Sequence, residues 1–379
     1  MFKKTIATVI AASVVCSGVW TSQASAAPGN DLKIIPIIVN GQKVRFPDTE
    51  PYVNTDGRTM VPVRFVSEKL GAEVTWDNST ETATIKYEGK TIQMPIGSKT
   101  VMVDGVQQEL DTAAEMYEGR TMVPLRFVSE VLDSTVEWDS GAHAVKVTDA
   151  NYQAKVDSGE VNLDPWGREY SKTKDAYWMR LTDLEDTGFY DVTYKSPNRT
   201  FFESKLMTPN GKEYVDGWAN HIREYYAAQL NVDYRTIDEK KFADTLIKNM
   251  KGMSKHQESQ SRLVISDYVE WVKQNKVIAK GYADPENSQV EGDENGVSMR
   301  VYFKFMIISA TDTAQTFLDN WDVSDYSDSF KLEKGVWYGG YSRVVLGTNW
   351  ANQKFSGYAV NMFENMFGKA TYKYEKLNK

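Results

Sequence analysis

Hydrophobic and polar positions follow a different spacing in each part of the chain. Residues 5–19 form a largely apolar run. From residue 34 to residue 148, short alternating stretches predict strands around two short helices. Between residues 215 and 274 the apolar positions recur at helical spacing, and after residue 276 they alternate again. This order predicts an α+β protein whose second half packs its helices on one face of an antiparallel sheet.

The N terminus has the layout of a secretory signal peptide. Lys3 and Lys4 precede the apolar run, and Ala24-Ser25-Ala26 supplies an Ala-x-Ala cleavage site. The run is too short to cross a bilayer comfortably, so we expect residues 1–26 to be removed on export. The single cysteine, Cys16, lies within this peptide. The mature chain would therefore have no disulfide and no thiol nucleophile.

The first third of the chain contains an internal repeat. Residues 57–77, GRTMVPVRFVSEKLGAEVTWD, are identical to residues 119–139 at 15 of 21 positions, at an offset of 62. The two units cover residues 34–90 and 98–148. Each unit predicts a hairpin with a type I′ turn (Asn40-Gly41, and Asp104-Gly105 in the second copy), a short helix and two strands.

Local signals mark the two ends of the repeated helix. Pro62 suits the first helical position, where a missing N–H costs nothing. Gly71 favours a left-handed conformation at the C-terminal end, and Asp133 stands at this place in the second copy. Trp76 and Trp138 lie on alternating strands that follow the helices, which indicates core anchors.

Two charged residues of the repeated helix invite two interpretations. Arg64 and Glu68 are four residues apart, as are Arg126 and Glu130. They could form a binding patch that is presented twice. The more common arrangement is an ion pair on an exposed helix face, which contributes little to stability.

These motifs resemble a known family. The pattern Val39-Asn40-Gly41 followed by PDTEPYVNTDGRTMVPVRFVSE is similar to the copper amine oxidase N-terminal-like domain, also called the stalk domain. The resemblance covers residues 34–147 and ends there. It implies a compact, non-catalytic α+β module that projects other domains, found mostly in exported and surface proteins of Gram-positive-type bacteria.

The resemblance does not carry an oxidase activity with it. In the oxidases, catalysis belongs to a separate domain with a quinone derived from tyrosine and three histidines that bind copper. This chain has only His143, His221 and His256, and no two of them stand at ligand spacing. Tyr152 is followed by a glutamine, where the quinone motif needs an acidic residue. We therefore expect no amine oxidase activity and no metal or organic cofactor.

The second half of the chain predicts a separate domain. Residues 27–150 form the stalk module, residues 151–170 a polar linker, and residues 171–379 the C-terminal α+β domain. Helices are expected at residues 215–230, 238–250 with Asp238 as N-cap, and 261–274. Strands are expected at residues 276–283, 297–310, 335–347 and 354–362. A cystatin-like or NTF2-like arrangement is one layout of this kind.

Charge and motifs narrow the classes of function. The chain carries 44 basic and 52 acidic residues, a formal net charge of −8, which does not favour nucleic acid as a partner. The sequence contains no nucleotide-binding glycine loop, Cys-x-x-Cys or nucleophile elbow. Glu291, Asp293 and Glu294 could bind calcium weakly, but they lack EF-hand spacing, and a solvated acidic loop is the simpler interpretation.

One aromatic cluster is the candidate ligand site. Trp337, Tyr338, Tyr341 and Trp350 could form a platform on which sugar rings stack, although a β core uses the same residue types. The sequence thus favours an exported, secreted or wall-associated, non-catalytic binding protein. Its expected partner is cell-wall glycan or another surface protein, and no further transmembrane segment is expected. A secreted hydrolase with its site in the C-terminal domain is the alternative, and a pure spacer is the third hypothesis.

Overall fold

We describe a computed structural model of the chain. It describes residues 34–172, 179–184, 208–293, 296–313, 316–318, 332–348, 357–361, 363, 366 and 374–377. The predicted signal peptide, Glu294 and Trp350 lie outside these residues. No helix of the described ranges is long and apolar enough to cross a bilayer.

Residues 34–149 fold into three small sheets and two short helices. The strands are β1 (Ile37–Val39), β2 (Gln42–Lys43), β3 (Tyr52–Val53), β4 (Thr59–Pro62), β5 (Glu73–Asp77), β6 (Thr82–Tyr87), β7 (Lys90–Pro95), β8 (Thr100–Val103), β9 (Val106–Glu109), β10 (Glu115–Tyr117), β11 (Arg120–Pro124), β12 (Ser134–Asp139) and β13 (Ala144–Asp149). The helices are α1 (Val63–Lys69) and α2 (Leu125–Val131). The sheets have the orders β12-β13-β1-β2, β10-β11-β4-β3 and β5-β6-β7-β8-β9.

The equivalent parts of the two repeats meet across an approximate two-fold axis. Strands β4 and β11 pair antiparallel, and Val61 pairs with Val123, its own equivalent at the offset of 62. The axis therefore passes between these two buried valines. Residues of both units share one apolar core, which contains Val66 and its equivalent Val128. Each unit alone would leave this apolar face exposed, so the pairing stabilises both.

The predicted turn chemistry of the repeats is confirmed. Asn40 and Gly41 have φ of 47° and 73°, and Asp104 and Gly105 have φ of 51° and 78°. Two successive positive φ values are the signature of a type I′ turn. Gly71 ends α1 with φ of 84°. Asp133 takes the same left-handed conformation after α2, which an aspartate tolerates better than most residues.

The interpretation of the repeated tryptophans as core anchors is wrong for Trp138. Its side chain is 52% exposed, and Trp76 is only partly buried. These two strands instead contribute Val74 and Val136, which are partly buried and pack against the core. Arg64 and Glu68 form the expected exposed ion pair, at 3.8 Å.

Residues 150–172 and 179–184 follow the stalk module in the chain and form one helix and three short strands. Helix α3 (Ala150–Ser158) and the strands β14 (Asn162–Leu163), β15 (Glu169–Lys172) and β16 (Met179–Leu181) form this part. The segment that we interpret as a polar linker, residues 151–170, thus contains a helix and strand residues. It also contains Trp166 and Arg168, whose side chains are 3% and 2% exposed.

The C-terminal part packs helices on one antiparallel sheet. Its helices are α4 (Pro209–Leu230), α5 (Glu239–Asn249) and α6 (Lys255–Gln274). Its strands are β17 (Ile278–Asp293), β18 (Gly296–Ser309), β19 (Trp337–Gly347), β20 (Ala359–Val360) and β21 (Glu375–Lys376). The sheet order is β17-β18-β19-β20, and β21 also pairs with β19. This arrangement agrees with the α+β class; the cystatin-like or NTF2-like comparison stays a prediction.

One long strand replaces the strand end that we expect at Asp284-Pro285. Strand β17 continues to Asp293 and pairs with β18 on both sides of a register shift between Pro285 and Val290. Proline is tolerated at such a bulge because a ladder hydrogen bond is already missing there. The solvated acidic loop that we expect at Glu291 and Asp293 is therefore wrong, because β17 includes both residues. Glu291, one of the proposed calcium ligands, is a strand residue.

Candidate functional site

Two features lie where the two halves of the described chain meet. One is a cluster of buried charges, which we call the charge network: Lys43, Arg45, Arg168, Asp183, Asp284 and Glu286. The other is an open aromatic cavity, which we call the interdomain cleft: Tyr52, Tyr117, Trp138, His143 and Trp337 are its rings.

Glu286 is the centre of the charge network. Its side chain is fully buried. It lies 3.0 Å from the ammonium of Lys43 and 2.7 Å from the guanidinium of Arg168, and it also accepts a hydrogen bond from Arg45. Burial by itself would raise the pKa of Glu286. The three cations outweigh burial and hold this pKa well below its usual range.

Asp284 and Asp183 complete the network. Asp284 lies 3.1 Å from Lys43 and 2.6 Å from Arg45. Asp183 accepts hydrogen bonds from Arg168 at 2.7 Å and from the backbone N–H of Lys43 at 2.6 Å. The network therefore contains three cations and three carboxylates, with both signs paired at close range. Buried ion pairs are favourable only when nearly every charge has its partner. Because the partners here come from both halves, the network holds the two halves in one relative position.

A second set of contacts joins the halves at the start of α4. Lys212 donates hydrogen bonds to Asp139 of the stalk module at 2.9 Å and to Asp216 at 2.7 Å. The indole N–H of Trp166 donates to Asp216 at 2.6 Å. Ile38 of the stalk module packs within the C-terminal core. The stalk module and the C-terminal part thus share a packed interface.

The interdomain cleft is a cavity of about 360 Å³ between the stalk module and strand β19. Tyr52 and Tyr117 lie with their ring centres 4.9 Å apart. The rings of Trp138 and His143 are 6.3 Å apart. Trp337 comes from the C-terminal half. Val53 and Trp138 line the cleft and are 56% and 52% exposed.

Paired charges surround the base of the cleft. Lys304 is 1% exposed and donates a hydrogen bond to Glu50 at 2.7 Å. Glu50 also accepts a hydrogen bond from the hydroxyl of Tyr282 at 3.0 Å. Burial raises the pKa of Glu50, although the charge of Lys304 acts in the opposite direction. Burial and the hydrogen bond to Glu115 raise the pKa of Tyr52.

Two lysines also lie against the Trp337 ring. The ammonium of Lys280 is 4.9 Å from the ring centre, and that of Lys304 is 5.1 Å from it. Lys280 lies 3.7 Å from Glu118 of the stalk module. These cation–π contacts fix the indole at the wall of the cleft, so this ring is held in place before any ligand arrives.

The aromatic cluster that the sequence singles out is divided by the fold. Trp337 lines the cleft. Tyr338 is 3% exposed and stacks on Phe305 in the C-terminal core. The hydroxyl of Tyr341 accepts a hydrogen bond from Arg45 at 2.9 Å, which places it beside the charge network. Trp350 lies outside the described residues.

Sequence reasoning misses the other rings of the cleft. Tyr52, Tyr117 and His143 come from three different places in the stalk module. Nothing in their spacing shows that they meet a tryptophan of the C-terminal half. Besides Trp337, the one ring of the cleft that the sequence singles out is Trp138, which the strand pattern presents as a core anchor.

Comparisons with known proteins agree with the resemblance of the first third. Residues 38–147 match the family model of the copper amine oxidase N-terminal domain. A primary amine oxidase of Klebsiella aerogenes is 30% identical over 78 residues, which are 21% of this chain and 10% of the oxidase. A protein named protease inhibitor from Brevibacillus choshinensis is 25% identical over 188 residues, 50% of this chain and 53% of that protein.

The likeness is therefore partial on both sides. The chain spans about a tenth of the oxidase and about half of the protease inhibitor. No solved structure matches the chain.

The residues present do not suit a copper ion. Within the described ranges, no group of three or more His, Cys, Asp or Glu side chains converges as metal ligands. His143 lies against Trp138, and Nδ1 of His221 lies 2.9 Å from the side-chain oxygen of Asn249. Residues 38–147 therefore match the copper amine oxidase N-terminal domain, the non-catalytic part of those oxidases, both in their motifs and in the family model.

Proposed function

We propose that the protein is exported and acts without catalysis, by binding a partner protein in the interdomain cleft. The observation that carries this proposal is the convergence of rings from both halves, with Trp138 and Val53 more than half exposed. Tryptophan and tyrosine in a well-packed pocket are the residue types that dominate protein interfaces. A cavity of about 360 Å³ has room for one or two anchor side chains of a partner.

Export is supported by the predicted signal peptide and by the stalk domain. Residues 1–26 have the three-part layout of such a peptide. The matched domain is the non-catalytic part of the amine oxidases. We infer that it displays the C-terminal half outside the cell or at the cell wall.

The absence of catalysis is supported by the state of the charged groups at the cleft. Perturbed carboxylates in a cleft often mark catalytic sites. Glu50 has such a pKa, but Lys304 and Tyr282 already contact its carboxylate. Tyr52 is likewise engaged by Glu115. These groups therefore favour a structural role over the hydrolase alternative.

Inhibition of an extracellular protease is a second candidate function. It is favoured by the 25% identity with the Brevibacillus protease inhibitor. In this case the partner in the cleft would be the protease itself. A cystatin-like layout of the C-terminal half would suit such a role, and it stays a prediction.

A site-specific photo-cross-linker tests the partner proposal. We would place benzoylphenylalanine at Val53, on the rim of the cleft, and at Leu263, which is 57% exposed on α6 and serves as the control. Irradiation with culture supernatant and washed cells should yield a discrete adduct from position 53 alone. Trp337→Ala should abolish that adduct. Equal adducts from both positions, or an adduct that survives Trp337→Ala, would contradict the proposal.

A direct assay separates the protease candidate from the general proposal. The mature chain is titrated into a secreted serine protease and a secreted metalloprotease, and residual activity is measured on a protein substrate. Inhibition that falls at least tenfold in Trp337→Ala supports the inhibitor. An adduct at Val53 without inhibition of either enzyme leaves protein binding in place and removes the inhibitor.

A further inference from the structure

The stalk module carries two grooves that are equivalent under its two-fold axis. The first groove is lined by Arg58, Asp111, Arg126, Phe127 and Trp138, and its volume is about 440 Å³. The second groove is lined by Arg64, Phe65, Trp76, Met116 and Arg120, and its volume is about 220 Å³. Neither groove is the interdomain cleft, although Trp138 borders both the cleft and the first groove.

Each groove is built from both repeats. The first groove joins the Gly57–Arg58–Thr59 loop of one unit to the helix start and tryptophan of the other. The second joins Gly119–Arg120–Thr121 to the helix start and tryptophan of the first unit. Corresponding residues differ by 62 in number, as in Arg58 and Arg120 or Trp76 and Trp138. The reciprocal exchange follows from the pairing of Val61 with Val123 on the axis.

Ion pairs between the repeats hold the loop of each groove. Arg58 contacts Asp111, and Arg120 contacts Asp48, with Nε of Arg120 2.9 Å from the carboxylate. Asp48-Thr49 and Asp111-Thr112 are the same dipeptide in the two units, at an offset of 63. The side chains of Arg58 and Arg120 are 49% and 38% exposed, and each guanidinium has N–H groups beyond those that its aspartate accepts.

The lining has the chemistry that recognises sugars. Each groove presents an indole edge or face and a phenylalanine, beside planar guanidinium groups. An apolar ring stacks on the C–H face of a pyranose, while guanidinium and carboxylate groups exchange paired hydrogen bonds with its hydroxyls. The indole N–H of Trp76 donates to Asn78 at 2.7 Å, so the ring is held while part of its surface remains accessible.

The charges that line the two grooves favour a neutral ligand over a charged one. The first groove holds Arg58 and Arg126 together with Glu109, Asp111 and Glu130 in its lining. In the second groove, Arg64 is paired with Glu68 and Arg120 with Asp48. Because both signs are present at each groove, a charged polymer would meet like charges at both. A neutral chain meets no such conflict.

We propose that the two grooves bind neighbouring units of one neutral polysaccharide. Two equivalent weak sites on one rigid module suit a polymer with repeated units, because the second contact becomes intramolecular and raises the apparent affinity by about 10²–10⁴. The second groove is separate from the protein-binding cleft, whereas the first groove shares Trp138 with it.

Stoichiometry with short oligosaccharides provides the test. Trisaccharides of glucose, mannose and N-acetylglucosamine are titrated calorimetrically into the full mature chain. At least one should bind at two per chain. Trp76→Ala and Trp138→Ala should each reduce this to one, and the double variant should bind none. Trp→Phe variants, which keep a stacking ring, should retain two.

The corresponding soluble polysaccharide, in affinity electrophoresis, tests the cooperation of the grooves. Each single alanine variant should lose at least tenfold in apparent affinity. Trp337→Ala should change neither measurement, and because Trp76 lies outside the cleft, its variant should leave the Val53 adduct intact. Absence of binding to every sugar, a single site in the wild type, or unchanged binding in the double variant would overturn the proposal. Unchanged circular dichroism of the variants serves as the folding control.

Discussion

Replacing Glu286 with glutamine should weaken the folded protein strongly. The carboxylate is fully buried and contacts three cations: Lys43 at 3.0 Å, Arg168 at 2.7 Å, and Arg45. Glutamine keeps the shape of the side chain but removes its charge. The network's three cations, of which Lys43 and Arg168 are buried, would then have only two carboxylates as partners. Removing one partner of a buried ion pair lowers the free energy of unfolding by about 3–5 kcal/mol. Because the amide oxygen of glutamine can still accept one hydrogen bond, we expect a loss at the lower end of this range, about 3 kcal/mol.

Urea unfolding of the mature chain measures this loss. For a slope of about 3 kcal/mol/M, the midpoint should fall by roughly 1 M. Glu333→Gln is the matched control, because its partner Lys376 is an exposed residue of the same half and both side chains are more than half exposed. That variant should unfold at the wild-type midpoint. If Glu286→Gln loses less than about 1 kcal/mol, or no more than the control, the network does not hold the two halves together.

Three further predictions concern the pH dependence of stability, the packing of two glycines and the N-cap of α6. Burial raises the pKa of Glu286, but the neighbouring cations lower it more, so the folded pKa lies below the unfolded one and the stability that the carboxylate contributes is lost as the pH falls through the folded value. The difference in urea midpoint between wild type and Glu286→Gln should therefore stay constant from pH 8 to about pH 5 and shrink towards pH 2. A difference that stays constant down to pH 2 would contradict a charged Glu286 in the folded protein. Gly281→Ala would place a methyl 2.7 Å from the carbonyl oxygen of Lys304 and should lower the free energy of unfolding by about 1–3 kcal/mol. Gly217→Ala, whose methyl would lie in open space on α4, should raise it by about 0.5–1 kcal/mol, and urea unfolding should show these opposite signs. Ser254→Ala removes the capping box of α6 and should cost about 1 kcal/mol in the same assay, and an unchanged midpoint would show that packing alone holds this helix end.

Turns and helix caps, whose conformation is set by residues adjacent in the sequence, agree with the prediction from the sequence. The type I′ turns follow from Asn40-Gly41 and Asp104-Gly105, because two residues alone set the required φ values. Asp238 caps α5 by accepting the backbone N–H of Lys241 at 2.7 Å, as expected. Helix α6 begins at Lys255, six residues before the predicted start, since its first turns are polar and only the capping box marks them.

The sequence does not predict the burial of residues whose partners lie far away in the chain. Asp284 and Glu286 stand in a polar stretch that has every local mark of a loop. They are 2% and 0% exposed strand residues because Lys43 and Arg45, more than 230 positions earlier, neutralise them. Burying such charges is favourable only with those partners in place, and periodicity carries no information about them.

The sequence by itself determined the repeat, its turns, the α+β class and the stalk-domain resemblance at residues 34–147, because each depends on local spacing or on direct similarity between segments. The tertiary structure alone decided that Trp138 is exposed, that Tyr338 is buried, and that Trp337 faces the rings of the stalk module. Each of these outcomes depends on which surfaces meet. A side chain's own sequence neighbours do not specify that meeting, since the free energy of burial comes from contacts across the fold.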